Sequence, residues 1–522
     1  MEKTESTPSG QRRSRNTSVD DFRRFGLIEE RRLQGVVKIQ DVKHQASNTS
    51  ASAMWKPSLA SVRGNVAEWV LFWAFLAGLG WTPYYYGSND LWAWGINAIL
   101  FPSLAIAYEV ALLARAKHHP VAIREIGLPA ALFSAVAVWI LIQNATWTPS
   151  AWHHPIWAMT AEALEQPVQG SISVNHDPTS LGLLRLVTAA SVFWIALQLG
   201  RNPQRASYFV AGLVAIVLAY SIYGLIELAL ATKPIHWMGT TWSSGLVTST
   251  FVNRNHFASY VGIGLVAIAA IILKLYRREL KFGGPLRLKI ASMIETTFQR
   301  GALLIATAIV LIVTLLLTGS RGGIVATGVG LFVLAVLALS GGNKGFSGRR
   351  ELVLGLSFVA AIMLLAFGDL FFGQVAERGL SDQSRMAVYL IMLRSILDAP
   401  LLGYGYGTFY DVFPMFRDQS IDTGGIWEYA HNTYLEIYQG LGLLFGSALL
   451  ICVVLLVFKC FKGAITREES TVPGLAASVA CLVAIHALAD FSLQMQAVTL
   501  TFAAVLGVGV AQSSSSKLAL ND

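Results

Sequence analysis

The sequence predicts an all-α protein, a polytopic transmembrane helical bundle, on three observations. Charged residues fill only 13% of the 522 positions and hydrophobic ones 54%, whereas soluble domains carry about 25% charge. Apolar runs of about 20 residues recur along the chain, the length that crosses a hydrocarbon core. The mean hydropathy of +0.54 agrees. Cys452, Cys460 and Cys481 are the only cysteines and lie in or beside apolar runs, which excludes a disulfide scaffold and a cysteine metal cluster.

Residues 1–64 stand apart. Rich in Ser, Thr, Gln, Asn and Arg, they read as a disordered basic tail, with no apolar run of the signal-peptide kind at the start. Phe22–Leu33 has the pattern of a short basic amphipathic helix on anionic lipid, or of a solvated stretch that only helps set topology. The bundle then occupies 65–512. Twelve spans are expected, at 65–82, 91–113, 126–147, 181–199, 206–231, 256–273, 301–318, 322–340, 351–372, 433–458, 473–490 and 496–512. Trp81 with Tyr84, Tyr85 and Tyr86, then Trp147 and Trp152, then Trp237 and Trp242 cluster at span ends, as an interfacial aromatic belt does. Residues 513–522 form a second short tail, and no internal repeat is visible.

Orientation follows from the basic residues. With the N-terminus in the cytoplasm, the tails and cytoplasmic connections hold all but eight of the 39 Lys and Arg. The eight are Arg185, inside the fourth span, and Lys233, Arg254, Arg321, Arg378, Arg385, Arg394 and Arg417 in outer connections. The positive-inside rule therefore puts both termini in the cytoplasm. Topology and contact with membrane lipid then account for the net charge of +8, and no nucleic-acid partner is needed.

Polar groups on the outer side that topology does not require are the candidates for function. Two outer loops are long, 148–180 and 373–432, the second between spans nine and ten. Long loops in compact proteins tend to be functional. Arg321 sits in Thr318-Gly-Ser-Arg-Gly-Gly323, a small-residue turn that reads equally as an anion site and as a snorkelling helix end. Arg254 lies in Phe251-Val-Asn-Arg-Asn-His-Phe257 at the start of span six. A helix N-terminus beside a guanidinium favours phosphate, while Asn253 can equally be a simple cap. Arg385 opens an amphipathic stretch, Ser384–Asp398. His431 begins span ten, and reads either as a group that exchanges a proton near neutral pH or, as is commoner for an isolated histidine, as an interfacial side chain satisfied by a backbone partner. Glu436, one turn deeper, is an intramembrane ionisable group, to be read as functional unless it pairs structurally. His486 and Asp490, one helical turn apart, either assist or bond each other. His153, His154 and His176 lack metal-ligand spacing, so no metal is expected. The run Gly403-Tyr-Gly-Tyr-Gly407 follows no strand and opens no βαβ unit, so it is no nucleotide loop; a hinge or a close backbone approach is the plain reading.

Together these motifs resemble the O-antigen ligase and Wzy-type polymerase superfamily, bacterial inner-membrane enzymes that act on lipid-linked glycans. The resemblance rests on Phe251–Ala258, Leu317–Gly323, Arg385, Ala399–Phe409, Ala430–Glu436 with Gly440, and His486 to Asp490, in family order over roughly 240–510. It implies a glycan donor on undecaprenyl pyrophosphate at the periplasmic face, an attacking acceptor hydroxyl, and a departing lipid pyrophosphate. Arg254 and Arg321 are then expected to stabilise the leaving group, with Arg385 a weaker third, and His431 to act as base. The same motifs add Asn253, Asn255, Asn432 and Glu436 to the expected substrate-binding set, and the loop aromatics Tyr404 and Tyr406 join it either as sugar platforms or as groups that simply float the loop on the membrane surface. No cofactor is expected. The implied partners are the lipid-linked donor, a glycan or lipid A-core acceptor, and a chain-length regulator or flippase. Two other classes stay open: a secondary transporter, which twelve spans with both termini inside would suit, and a non-catalytic component of a polysaccharide export system.

Overall fold

The computed structural model describes residues 66–230, 245–281, 287, 295–340, 383–421 and 426–514. The tail 1–64, the ninth span at 351–372, Lys233, Trp237, Trp242, Arg378 and most of 513–522 lie outside the described residues. The chain divides into two units, 1–69 and 70–522. Of the first, only the opening of one helix is described.

The described residues are helical, without strands. In chain order the helices are α1 (Val66–Trp81), α2 (Leu91–Leu113), α3 (Gly127–Gln143), α4 (Ile156–Leu164), α5 (His176–Leu199), α6 (Pro203–Ala229) and α7 (Arg254–Lys281). There follow α8 (Ala302–Leu317), α9 (Arg321–Ser340), α10 (Gln383–Asp398), α11 (Phe409–Phe416), α12 (Thr433–Thr466), α13 (Thr471–His486) and α14 (Gln496–Ser513). Eleven of the twelve expected spans coincide with a helix. Eight are long and apolar enough to cross a membrane, and α1, α8 and α13 are shorter apolar helices. The protein is thus a polytopic helical bundle.

Local chemistry sets the helix starts. The side chains of Asp90, Asn175, Asn202 and Asn432 accept from the first free backbone N–H groups of α2, α5, α6 and α12, as N-caps do. Pro203 follows its cap at the first helical position, where a missing N–H costs nothing. Inside the bundle, α7 and α14 are the most enclosed of the long helices. Small residues let them pack closely: Gly509 on α14 leaves no room for a Cβ against Ala476 of α13.

Hydrogen bonds between connections define two ends. At one, Val121 pairs with Gln198, and Arg201 donates to Ala511 O and Ser514 O. At the other, Thr250 donates to Pro83 O, Val247 N to Leu317 O and Ala497 N to Gly87 O. The candidate polar residues gather at this second end.

The loop before α12 is built onto that end by backbone pairing. Helix α12 breaks at Gly442, where φ is +74°. The broken turn receives the Gly-Tyr run: Tyr404 N donates to Gln439 O at 3.0 Å, Gly405 N to Gly440 O at 3.1 Å, and Leu443 N to Pro400 O at 2.7 Å. Gln143 of α3 clamps both partners, donating to Leu402 O and Gly440 O. Gly403 has φ +64° and no space for a Cβ beside Gly440 O. Of the two plain readings of this run, the close backbone approach is the one observed. Among the described residues of the loop, Val388, Ile391 and Met392 of α10 pack against Phe409, Phe413, Ile421 and Ala430.

Candidate functional site

The sequence motifs meet on one turn. Helix α13 ends at His486, four residues short of the expected span end, so Asp490 lies off the helix in the connection to α14. His486 and Asp490 do not bond each other directly but share Ser492, whose Oγ lies 3.2 Å from His486 Nδ1 and donates to Asp490 Oδ1 at 3.2 Å. Asp490 accepts from Asn255 Nδ2 at 2.8 Å and from Phe491 N at 2.9 Å, and its Oδ1 lies 3.2 Å from His256 Nε2. That last contact is at ion-pair distance without the alignment of a linear hydrogen bond. Burial alone would raise the Asp490 carboxyl; contact with His256 and the charges of His256, His486 and His431 outweigh it and hold the group well below the usual carboxylate range. His486 Nδ1 bonds to Ser259 Oγ and to Ser492 Oγ. Its ring edge rests on Gly322, where a Cβ would come within 3.1 Å of Nε2.

Two helix N-termini therefore converge on the turn. Asn255 and His256 follow Arg254, the first residue of α7, and Gly322 follows Arg321, the first residue of α9. Each start is capped locally. Asn253 Oδ1 accepts from Asn255 N at 2.8 Å, and Ser320 Oγ accepts from Gly323 N at 3.1 Å. Arg254 and Arg321 thus open α7 and α9 at the positive ends of the helix dipoles, and both residues are half-buried. Arg385 reaches the same turn from α10, its Nη1 donating to Ala489 O at 2.6 Å.

The strand of chain carrying His431 is tied down on both sides. Asn432 Nδ2 donates to Leu488 O and Thr433 N to Ala487 O, both at 3.0 Å. Tyr389 Oη donates to His431 O at 2.9 Å. His431 itself has φ +55°, an uncommon conformation for a residue with a Cβ. Glu436 holds that conformation by accepting from Ala430 N at 2.5 Å, and its other oxygen accepts from Gln494 Nε2 at 2.6 Å. The ring of Phe491 joins the parts. His256 and His431 meet it edge-on at 4.4 and 4.5 Å, and Tyr429 stacks on its face.

Beside this cluster, α5, the 403–407 run, Glu428, Tyr429, the start of α12 and the Leu493–Thr499 stretch enclose a cavity of ≈ 730 Å³ including its mouth. Arg185 and Tyr406 line it. Arg185 donates to Gln494 O and lies 4.5 Å over the Trp94 ring.

The expected site residues fall into three groups. Asn255, Arg385 and Asn432 bond to the 486–490 turn, His431 precedes Asn432 there, and Arg254 and Arg321 open the two helices whose next residues, Asn255 and Gly322, touch it. Asn253 caps α7, and Glu436 braces the His431 turn. Tyr406 lines the cavity, whereas Tyr404 is 1% exposed, donates to Asp398 at 2.7 Å, and packs with Val174 and Val412. Burial and the Asp398 hydrogen bond push the Tyr404 hydroxyl up. His256, Phe491, Gln494 and Arg185 had no role in the sequence reading. Arg185 was legible as a charge inside an apolar span, the signal that marked Glu436. No cluster that could hold a metal ion occurs among the described residues.

No curated protein matches the chain. Residues 306–451 match the family model described as O-antigen ligase, a stretch that includes Arg321, Arg385, the Gly-Tyr run, His431 and Glu436 and leaves Arg254 and Asp490 outside. The chain thus contains a domain of the O-antigen ligase and Wzy-type polymerase superfamily, and lipid-linked glycan transfer is the general function that this domain supports.

Proposed function

We propose that the protein transfers a glycan from an undecaprenyl-pyrophosphate carrier to an acceptor hydroxyl, at the periplasmic face of a bacterial inner membrane. The acceptor oxygen attacks the anomeric carbon, the bond from that carbon to the pyrophosphate oxygen breaks, and the hydroxyl proton passes to His431. Arg254 and Arg321 take the developing charge of the leaving pyrophosphate, each at a helix N-terminus that adds its dipole. Arg385 is a weaker third cation, as the resemblance implies, and its Nη1 donates to Ala489 O. The 373–432 loop keeps water from the anomeric carbon, where it would hydrolyse the donor.

What supports this reading is that the starts of α7 and α9, which Arg254 and Arg321 open, meet the turn His486–Asp490 through Asn255, His256 and Gly322, where Arg385 and the His431 segment also bond, within and beside a stretch that matches the O-antigen ligase model. A deletion strain tests it, with lipid-linked and surface glycans sized by gel and mass spectrometry. Single repeat units stalled on the carrier identify a polymerase. Full-length polymer stranded on the carrier, with bare acceptor, identifies a ligase. An unchanged profile rejects both.

A further inference from the structure

The cavity beside Arg185 is separated from the arginine and histidine cluster by the stacked pair Tyr429 and Phe491. Its wall is mixed in a particular way. Arg185 Nε and Gln496 Nε2 are buried donors with no protein partner. Gln496 is 2% exposed, and its other amide atom already accepts from Asn97 at 2.7 Å. Glu428 and Glu436 supply carboxylate acceptors, and the half-buried Tyr406 supplies an aromatic face.

Two carboxylates against one guanidinium disfavour an anion, so a phosphate group does not suit this wall. Unsatisfied donors buried in it equally disfavour an acyl chain, which cannot pair them. A ligand that both donates and accepts at several points, with an apolar face for Tyr406, satisfies all of these groups. We propose that this cavity is a subsite for a neutral, hydroxyl-bearing sugar residue, distinct from the pyrophosphate cluster. The inference rests on the glycan-transfer reading above and adds to it where the carbohydrate is held. Glu436 links the two places, because one carboxylate oxygen lines the subsite region on Gln494 and the other holds the turn of His431. A sugar seated here lies across the Tyr429–Phe491 pair from the residue assigned as base.

The test uses full-length protein in nanodiscs, titrated with two probes. One is the oligosaccharide released by mild acid from the host's own lipid-linked glycans; the other is inorganic pyrophosphate. Arg185→Gln is expected to weaken oligosaccharide binding by about tenfold or more, the loss that follows removal of a charged hydrogen-bonding group. Ala189→Phe, which fills the cavity without removing a hydrogen bond, is expected to do the same. Both variants keep pyrophosphate binding, and Arg321→Ala loses it while keeping the oligosaccharide. Oligosaccharide binding of wild-type strength in Ala189→Phe overturns the subsite, as does absence of binding to the unaltered protein. Pyrophosphate binding that survives in Arg321→Ala counts instead against the transfer mechanism and leaves the subsite standing. Steady-state transfer with both substrates varied then names the source of the sugar: the substrate whose KM rises in Ala189→Phe, donor or acceptor, is the one held here, and no rise in either overturns the assignment.

Discussion

Asp490 and His256 lie 3.2 Å apart with both side chains 2% exposed, and the same carboxylate takes a hydrogen bond from Asn255. This buried carboxylate ties the start of α7 to the turn between α13 and α14. Its depressed pKa means that its contribution to stability is fully present above the unfolded-state value of about 3.9 and is lost as pH falls through the lower folded value. Asp490→Asn should therefore destabilise the protein at pH 7, by about 3 kcal/mol for a broken buried pair. The difference from the unaltered protein should narrow only below about pH 4. Thermal unfolding in nanodiscs across pH checks both statements; a variant as stable as the parent at pH 7 contradicts them.

The turn of His431 depends on Glu436 as an acceptor rather than as a charge. Glu436→Gln keeps an oxygen for Ala430 N and should retain much of the transfer rate. Glu436→Ala leaves that buried N–H unpaired, at a cost of about 1–3 kcal/mol, and releases the strained residue beside it. Transfer should fall by about tenfold or more with protein level unchanged. Equal rates in the two variants would show that Glu436 does not position His431.

Gly442 and Gly403 are fixed by geometry. A Cβ at Gly442 meets Leu401 O and Pro400 O in a backbone with φ +74°. Gly442→Ala should lower stability by about 1–3 kcal/mol or more and loosen the loop, seen as faster proteolysis after Pro400. Gly95→Ala, where a Cβ meets nothing within 4 Å, is the control and should be close to neutral.

Asn432 has two tasks, capping α12 and holding Leu488 O. Asn432→Asp keeps the cap and loses the donor, so it should match the parent in helix stability and fall in transfer rate. Asn432→Ala loses both, with about 1 kcal/mol of stability from the cap alone. Differential melting and transfer assays on the pair separate the two tasks.

The spans were legible because each must be apolar over a membrane's thickness and because α2 and α12 begin at polar caps. The end of α13 was not. Ala487, Leu488 and Ala489 are as apolar as the helix before them, and their carbonyls take tertiary hydrogen bonds from Arg385, Asn432, Thr433 and Tyr389 in place of helical ones. That single error concealed how Asp490 could reach His256. The Gly-Tyr run was legible as a close approach, yet its partner was hidden: nothing local in Gln439–Leu443 announces a broken helix except Gly440 and Gly442 themselves. Tyr404 and Tyr406 look alike in sequence, and only their alternation about Gly405 sends one into the core with Asp398 and the other to the cavity. His256 stood beside Arg254 in a recognised motif, but its importance comes from a contact 234 positions away in sequence.

Transfer by purified protein in proteoliposomes tests the central claim most directly, with the lipid-pyrophosphate-linked glycan of the host as donor and release of lipid pyrophosphate as the readout. The account predicts turnover by the unaltered protein and none above background in Arg321→Ala or His431→Ala, at equal protein level and equal melting temperature. Full turnover in both variants would contradict it.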